Sequence, residues 1–127
     1  MKKSNKELRK ILGEEEYKVI VEKGTEMPFT GEYLHNDKNG QYNCLVCESE
    51  LFTSETKFDS GSGWPSFSDV VSNENVEIKE DDSHGMSRLE VLCNTCGAHL
   101  GHLFNDGPTP TGKRYCINSV CLKFQPK

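Results

Sequence analysis

Two short motifs, CLVC at residues 44–47 and CNTC at residues 93–96, decide how this chain folds. In each motif a tight loop returns the chain onto itself, so both sulfurs can reach one metal ion. Two such pairs complete the tetrahedral set of four thiolates that structural Zn²⁺ sites use. Four protein thiolates leave no open coordination position, so we expect one structural zinc ion per chain. The predicted ligands are Cys44, Cys47, Cys93 and Cys96.

Other interpretations of these four cysteines stay open. Iron also suits a tetrahedral set of sulfur ligands. One of the two pairs can instead be a redox dithiol, or the four cysteines can be unrelated. Zinc is favoured because two CxxC pairs complete the tetrathiolate set of structural zinc sites. A metal would also help to hold the core, because only 34% of the 127 residues are hydrophobic.

The length and charge of the chain disfavour several classes of protein. A chain of 127 residues corresponds to one domain, residues 1–127. With 15 Lys and Arg against 20 Asp and Glu, the net charge of -5 disfavours nucleic-acid binding. No apolar stretch approaches the length of a membrane span, and the basic N-terminus lacks the apolar region of a secretory signal. We therefore expect a cytoplasmic monomer with reduced thiols and no nucleic-acid or membrane partner.

The sequence predicts a mainly β fold with one or two helices at its N-terminus. Residues 4–12 and 14–23 carry helical apolar spacing. Beyond residue 42, short runs rich in β-forming residues alternate with turn-forming clusters. The clearest such runs are residues 76–78, 87–92 and 115–124.

The stretch GKRYCINSVC, residues 112–121, contains a candidate nucleophile. If it is a strand, Arg114, Cys116 and Asn118 share one face because side chains alternate. A guanidinium beside a thiol stabilises the thiolate, which is the nucleophilic form, and an amide can donate a hydrogen bond to a reacting group. The alternative is that Cys116 is a buried structural cysteine and Arg114 a surface residue.

Cys121 is expected to be a core residue. On the same strand it faces away from Cys116, and the two Cα atoms would lie roughly 16 Å apart. A disulfide needs about 5.5–6 Å between its Cα atoms, so a bond between these cysteines would require the strand to break.

Two further stretches contain candidate site residues. In GAHLGHLFNDG, residues 97–107, His99 and His102 can act as proton donors near neutral pH if Gly101 bends the strand and brings them together. The alternative is a pair of surface or core histidines.

In SGSGWPSF, residues 60–67, Trp64 sits on a glycine loop and can form a wall of a small apolar pocket, or belong to the core. Phe29 and Phe104 are further candidates for such walls, or for the core.

Taken together, these stretches strongly resemble the methionine-R-sulfoxide reductases of the zinc-containing kind. The resemblance covers residues 15–124 and includes EKGTEMPFTGEY, KFDSGSGWPSF and CGAHLGHLFNDGPTPTGKRYCINS. It implies two small antiparallel sheets in a tent-like arrangement, preceded by helices. It also implies reduction of R-methionine sulfoxide in proteins and peptides, which repairs oxidative damage, with electrons from thioredoxin.

The resemblance implies a role for each matching residue. Cys116 matches the nucleophile, which attacks the sulfoxide sulfur and becomes a sulfenic acid. The polar residues around the sulfoxide oxygen match His99, His102 and Asn118, and those flanking the nucleophile match Arg114 and Asp106. The pocket for the S-methyl group matches Trp64 and Phe104.

The chain departs from the resembling family at Ser62, where many relatives carry a resolving cysteine. The usual intramolecular disulfide is therefore impossible. Thioredoxin or another thiol can reduce the sulfenic acid directly, which we favour. The alternatives are resolution by Cys121 after a rearrangement, or by a metal-site cysteine.

Two rival functions remain at this stage. The chain can be a zinc-stabilised binding module, or a metal-dependent hydrolase with His99 or His102 on the metal. In both rivals Cys116 is dispensable, whereas a reductase requires it.

Overall fold

Two short helices precede nine strands in the part of the chain that the computed structural model describes. That part comprises residues 5–22, 25, 27, 29, 31–36, 38–58, 60, 61, 63–81, 88–105 and 112–126. The helices are α1 (Asn5–Ile11) and α2 (Glu14–Ile20). The strands are β1 (Gly40–Cys44), β2 (Glu50–Thr53), β3 (Lys57–Phe58), β4 (Ser66–Phe67), β5 (Val76–Asp81), β6 (Arg88–Cys93), β7 (His99–Phe104), β8 (Arg114–Ile117) and β9 (Leu122–Pro126). None of the helices in these ranges is long and apolar enough to cross a membrane.

The strands form two antiparallel sheets, as predicted. A small sheet has the order β2-β1-β9, and a large sheet has the order β3-β4-β8-β7-β6-β5. Every strand pair is antiparallel. The predicted mainly β fold with helices at the N-terminus is therefore confirmed.

Aromatic side chains join the two sheets into one core. Phe52 of the small sheet stacks on Phe67 of the large sheet, with ring centroids 4.4 Å apart. Tyr42, also from the small sheet, meets the edge of the same Phe67 ring at 5.1 Å. All three side chains are fully buried. Burying a side chain of this kind stabilises the fold by about 1.5–3 kcal/mol, so this contact fixes one sheet against the other.

Helix α2 covers one side of this core. Val19 and Ile20 are buried, and the helix ends when the N–H of Val21 donates to the carbonyl of Tyr17. The helix is thus shorter than the 14–23 predicted, although residues 23 and 24 lie outside the described ranges.

The strand predicted over residues 115–124 is wrong as one continuous strand. A 3₁₀ turn at Ser119–Cys121 divides it into β8 of the large sheet and β9 of the small sheet. The break follows from hydrogen bonding at Asn118, whose backbone N–H donates to Leu100 and whose carbonyl accepts from Cys121. The chain therefore passes from one sheet to the other directly after the candidate nucleophile.

Candidate active site and metal centre

The four cysteines of the two motifs come together at one point. Their sulfur atoms all lie within 4.8 Å of one another. Cys44 and Cys96 are 3.6 Å apart, and Cys47 and Cys93 are 3.5 Å apart. With a metal–sulfur bond of about 2.3 Å, a tetrahedron has sulfur–sulfur edges of about 3.8 Å. The cluster therefore fits a tetrahedral metal ion.

Both motifs use the same turn. The N–H of Glu48 donates to the carbonyl of Cys44 at 2.8 Å, and the N–H of Gly97 donates to Cys93 at 2.8 Å. Both donors have a positive φ, 65° at Glu48 and 80° at Gly97. Each turn presents its two sulfurs to the same side, and the pairing of the motifs joins the small sheet to the β6–β7 hairpin.

Hydrogen bonds among the cysteines of the cluster shift their pKa values in opposite directions. Hydrogen bonds from Cys44 and Cys96 lower the pKa of Cys93 to about 2, which favours its thiolate form. The bond to Cys93 in turn raises the pKa of Cys44. A bound cation would replace these protons and hold all four sulfurs as thiolates.

The cluster comprises cysteines alone within the described ranges. A metal-dependent hydrolase would need His99 or His102 on the ion, so this alternative has no structural support.

The candidate nucleophile is in direct contact with a cation. Nη1 of Arg114 donates a hydrogen bond of 2.7 Å to the sulfur of Cys116. The guanidinium also lies over the ring of Phe104, 4.4 Å from its centroid. This stacking holds the cation in place, and the guanidinium is thus fixed where it can stabilise negative charge on the sulfur.

Ser66, which the sequence did not predict as a site residue, also contacts the candidate nucleophile. Ser66 pairs with Cys116 between β4 and β8, and its Oγ lies 3.7 Å from the sulfur. Ser66 is fully buried, and its Oγ lies 2.7 Å from the Oγ of Ser60. In the sequence, only the position of Ser60 and Ser66 in the stretch SGSGWPSF, residues 60–67, indicated that they lie near the site.

The structure brings the two histidines together. The β6–β7 register shifts between Val91 and Leu92, which pair with Gly101 and His99, so β7 contains an extra residue there. A bulge of this kind cancels the alternation of side chains, and the rings of His99 and His102 lie 5.5 Å apart, edge to face.

The bend also depends on Gly101. A Cβ atom on this residue would collide with the carbonyl oxygen of Cys116 on β8. Without a side chain, β7 approaches β8 closely enough for His102 to pair directly with Cys116.

His99 has a partner that the sequence analysis also missed. Its Nδ1 lies 2.7 Å from Oε2 of Glu90, and both side chains are almost completely buried. The only sequence signal for this pair was an acidic residue within an otherwise apolar strand.

These residues surround a cavity of about 270 Å³. The predicted site residues that line it are Trp64, His102, Phe104, Arg114, Cys116 and Asn118. Thr25 and Arg88 also line it and were not foreseen. The cavity places the indole of Trp64, the imidazole of His102 and the guanidinium of Arg114 around the sulfur of Cys116. Such a site suits attack by a thiol on a substrate that has a small polar group next to an apolar one.

The remaining predicted residues lie apart from the cavity or outside the described ranges. His99 lies behind His102, and Phe29 is 68% exposed and is not part of the described lining. Asp106 and Ser62 are outside the described residues. The amide of Asn118 lines the cavity but also donates to the carbonyl of Leu100 at 3.0 Å.

Cys121 is buried in the core. Its side chain is 1% exposed and donates a hydrogen bond of 3.2 Å to the carbonyl of His99.

The fold and the site define a class of β-sheet proteins with a cysteine in a cavity and a four-cysteine cluster that could hold a metal ion. Residues 12–126 match the SelR domain, so the chain belongs to the SelR domain family.

Several named relatives are similar over almost the whole chain. It is 56% identical to a peptide methionine sulfoxide reductase MsrB of Methanosarcina barkeri, covering 98% of this chain and 88% of that one. It is 54% identical to a protein of the same name in Escherichia coli, over 97% and 90% of the two chains. The chain is also 60% identical to methionine-R-sulfoxide reductase B3, mitochondrial, of Mus musculus, of which it spans 49%.

A solved structure shares the fold at low identity. The Yippee-like domain of Mis18 superposes with a TM-score of 0.57 and 17% identity, covering 71% of this chain and 98% of that one. At this identity the likeness concerns the fold alone.

Proposed function

We propose that the chain is an oxidoreductase that reduces R-methionine sulfoxide in oxidised proteins and peptides to methionine. Membership of the SelR domain family and the relatives described above support this activity. The observation that carries the mechanism is the 2.7 Å contact between Arg114 and the sulfur of Cys116 inside the cavity. This function repairs oxidative damage to methionine.

The thiolate of Cys116 attacks the sulfoxide sulfur while a proton is delivered to the sulfoxide oxygen. The attack joins the two sulfur atoms. When this adduct collapses, the sulfur–sulfur bond and the sulfoxide sulfur–oxygen bond both break, the protonated oxygen transfers to the sulfur of Cys116 as a sulfenic acid, and methionine leaves. The substrate sulfur gains two electrons, and the cysteine sulfur loses two. Arg114 stabilises the attacking charge, and His102, which lines the cavity, supplies the proton.

The other assigned residues position the substrate. Trp64 and Phe104 form an apolar cup for the S-methyl group, and Asn118 donates a hydrogen bond near the sulfoxide oxygen. His99 supports His102 from behind, and we keep Asp106 as a residue that flanks the nucleophile. Holding methyl and oxygen on different walls would select the R epimer.

We propose that thioredoxin or another thiol reduces the sulfenic acid directly. Ser62 cannot form the usual disulfide, and Cys121 is buried with its thiol bonded to His99. A metal-site cysteine would have to leave its cluster. Two external thiols would return Cys116 to the thiol and release water, with a disulfide forming in the reductant.

A Cys121→Ser variant tests this route. It should keep thioredoxin-supported turnover, because Cys121 takes no part in direct reduction. Collapse of turnover in a folded variant would contradict direct reduction.

We assign zinc to the four-cysteine cluster, since a closed tetrathiolate with short loops is the usual structural zinc set. Zinc would stabilise the fold and supply no chemistry to the reaction. Metal binding by the four-cysteine cluster requires reduced thiols, which supports a reducing compartment such as the cytoplasm. We further propose that residues 1–127 form one domain and act as a monomer without nucleic-acid or membrane partners.

The first experiment needs no reductase partner. The zinc-loaded, reduced protein is mixed with a peptide carrying R- or S-methionine sulfoxide, and methionine and free thiols are counted. We expect about one methionine per chain from the R epimer only, with one thiol lost. Two lost thiols would refute direct reduction.

A Cys116→Ser variant is the control for this experiment. It should form no methionine while keeping its metal. If the unmodified protein formed no methionine either, the binding-module alternative would be favoured.

A further inference from the structure

A buried carboxylate lies behind the histidines of the active site. Glu90 on β6 is 3% exposed, and His99 on β7 is 2% exposed. Oε2 of Glu90 lies 2.7 Å from Nδ1 of His99. Removing a carboxylate from water costs several kcal/mol, and a buried pair seldom recovers more than this cost. Stabilisation of the fold therefore does not explain why Glu90 and His99 are buried together, which points to a role of this pair at the site.

The pair is connected to the cavity through His102. The ring of His99 meets the ring of His102 edge to face, with centroids 5.5 Å apart. His102 lines the cavity and pairs with Cys116 across β7 and β8. On the other side, Glu90 itself pairs with His102 across β6 and β7. Three strands thus hold a carboxylate, two imidazoles and the nucleophile in one row.

We propose that Glu90 is a positioning residue for the proton donor of this enzyme. Its carboxylate accepts the Nδ1–H of His99, which fixes the tautomer and the orientation of that ring. The fixed ring then holds His102 towards the sulfoxide oxygen. This inference rests on the proposed role of His102, and Glu90 is not among the described residues that line the cavity.

The pairing has a spectroscopic signature that does not depend on activity. In the zinc-loaded, reduced protein, ¹⁵N NMR of the imidazoles should show His99 protonated at Nδ1, with a proton resonance shifted downfield by the charged acceptor. A Glu90→Gln variant should lose this downfield shift. A His99 that carries its proton on Nε2 alone in the unmodified protein would overturn the inference, even if the variant did not fold.

The catalytic test separates positioning from folding. Glu90→Gln should lower kcat for methionine formation about 10- to 100-fold, as loss of the partner of a functional histidine does, and leave KM within about threefold. Glu90→Asp, which keeps the charge, should recover part of kcat. Metal content should stay the same in both variants. An unchanged kcat in Glu90→Gln, or a rate that falls only in step with metal content, would overturn the inference.

Two controls distinguish this inference from the proposed function. Asn43→Ala removes another buried polar side chain, which binds Gln125 in the small sheet, and should leave kcat unchanged. A His102→Ala variant with the full rate would refute the proton donor itself. A slow His102→Ala beside a Glu90→Gln with the full rate would refute only the positioning role.

Discussion

At the scale of single residues, one charge contact distinguishes Cys116 from the other cysteines. Four thiols belong to the metal cluster, and Cys121 is buried with a backbone partner. Cys116 receives a hydrogen bond from the guanidinium of Arg114. Its reactivity should therefore depend on Arg114.

Replacing Arg114 with Met tests this dependence. The change keeps an unbranched side chain that can still cover apolar surface, but it removes the charged donor. Cys116 should react with iodoacetamide about 10- to 100-fold more slowly, since a hydrogen bond to a charged group contributes about 1.5–3 kcal/mol. The rate is followed by mass spectrometry on the zinc-loaded protein at neutral pH. Lys123→Met, which removes an exposed cation paired with Glu48, is the matched control and should react at the original rate.

His102 is the second residue whose role can be tested alone. His102→Ala should slow methionine formation by about 10²–10⁴-fold, because the sulfoxide oxygen would leave without a positioned acid. Single-turnover assays with the R-sulfoxide peptide measure this step directly. His35→Ala is the control, since His35 is exposed and does not line the catalytic cavity. A full rate in His102→Ala would remove this residue as the acid.

Residues on one strand were predictable from the sequence, whereas partners on other strands were not. Alternation along a strand placed Arg114, Cys116 and Asn118 on one face, and all three line the cavity. Ser66 and Glu90 reach the site through the register of β4 and β6, which no local pattern reveals. Their contacts depend on the tertiary fold.

At the scale of the elements, the bulge in β7 determines the geometry of the site. A regular strand would separate His99 from His102, and the extra residue brings them to the same side. The sequence indicated this bend through Gly101, because a glycine within a strand pattern often marks a bulge or a close approach.

Replacing Gly101 with Ala should disrupt this element. The new Cβ would meet the carbonyl oxygen of Cys116, which is backbone and cannot rotate away. Overpacking of this kind costs typically about 1–3 kcal/mol, and a shift of β7 would also displace His102 from Cys116. Urea unfolding at a fixed zinc concentration measures the loss of stability. Single-turnover assays of methionine formation measure the effect of displacing His102.

A comparison variant shows whether crowding is the cause. Gly13→Ala places its Cβ no closer than 3.6 Å to the flexible side chain of Glu16, so its unfolding free energy should change by less than about 1 kcal/mol. If Gly101→Ala and Gly13→Ala lost the same unfolding free energy, the predicted collision at Gly101 would be contradicted.

At the scale of the whole molecule, the metal cluster and the aromatic core connect the same two sheets. The first cysteine pair lies at the end of β1 in the small sheet, and the second lies between β6 and β7 in the large one. Phe52 and Phe67 make the corresponding contact within the core. The cysteine spacing was enough to predict the metal centre, because both motifs close locally.

The partition of strands between the sheets could not be predicted in the same way. Residues 115–124 are rich in β-forming residues on both sides of the point where the chain changes sheets. The break is made by hydrogen bonds between Asn118 and Leu100, two residues far apart in the sequence. Only the folded arrangement supplies that information.

Loss of the metal should therefore destabilise the packing of the two sheets, because the aromatic core would be left as their main connection. Structural Zn²⁺ contributes about 10–16 kcal/mol in zinc-finger peptides, which is comparable to the whole stability of about 5–15 kcal/mol of a typical domain. We expect a Cys96→Ser variant to bind less than one zinc per chain, to melt at a much lower temperature and to lose methionine formation. Calorimetry, metal analysis and single turnover on the same sample measure these three effects.

Cys116→Ser is the matched control, because it removes a buried thiol from the cavity and leaves the cluster intact. It should lose methionine formation but keep its zinc and its melting temperature. The two variants thus separate the catalytic role of the Cys116 sulfur from the structural role of the four-cysteine cluster. A Cys96→Ser protein that melts like the unmodified chain would show that the aromatic core suffices and that the metal is not structural.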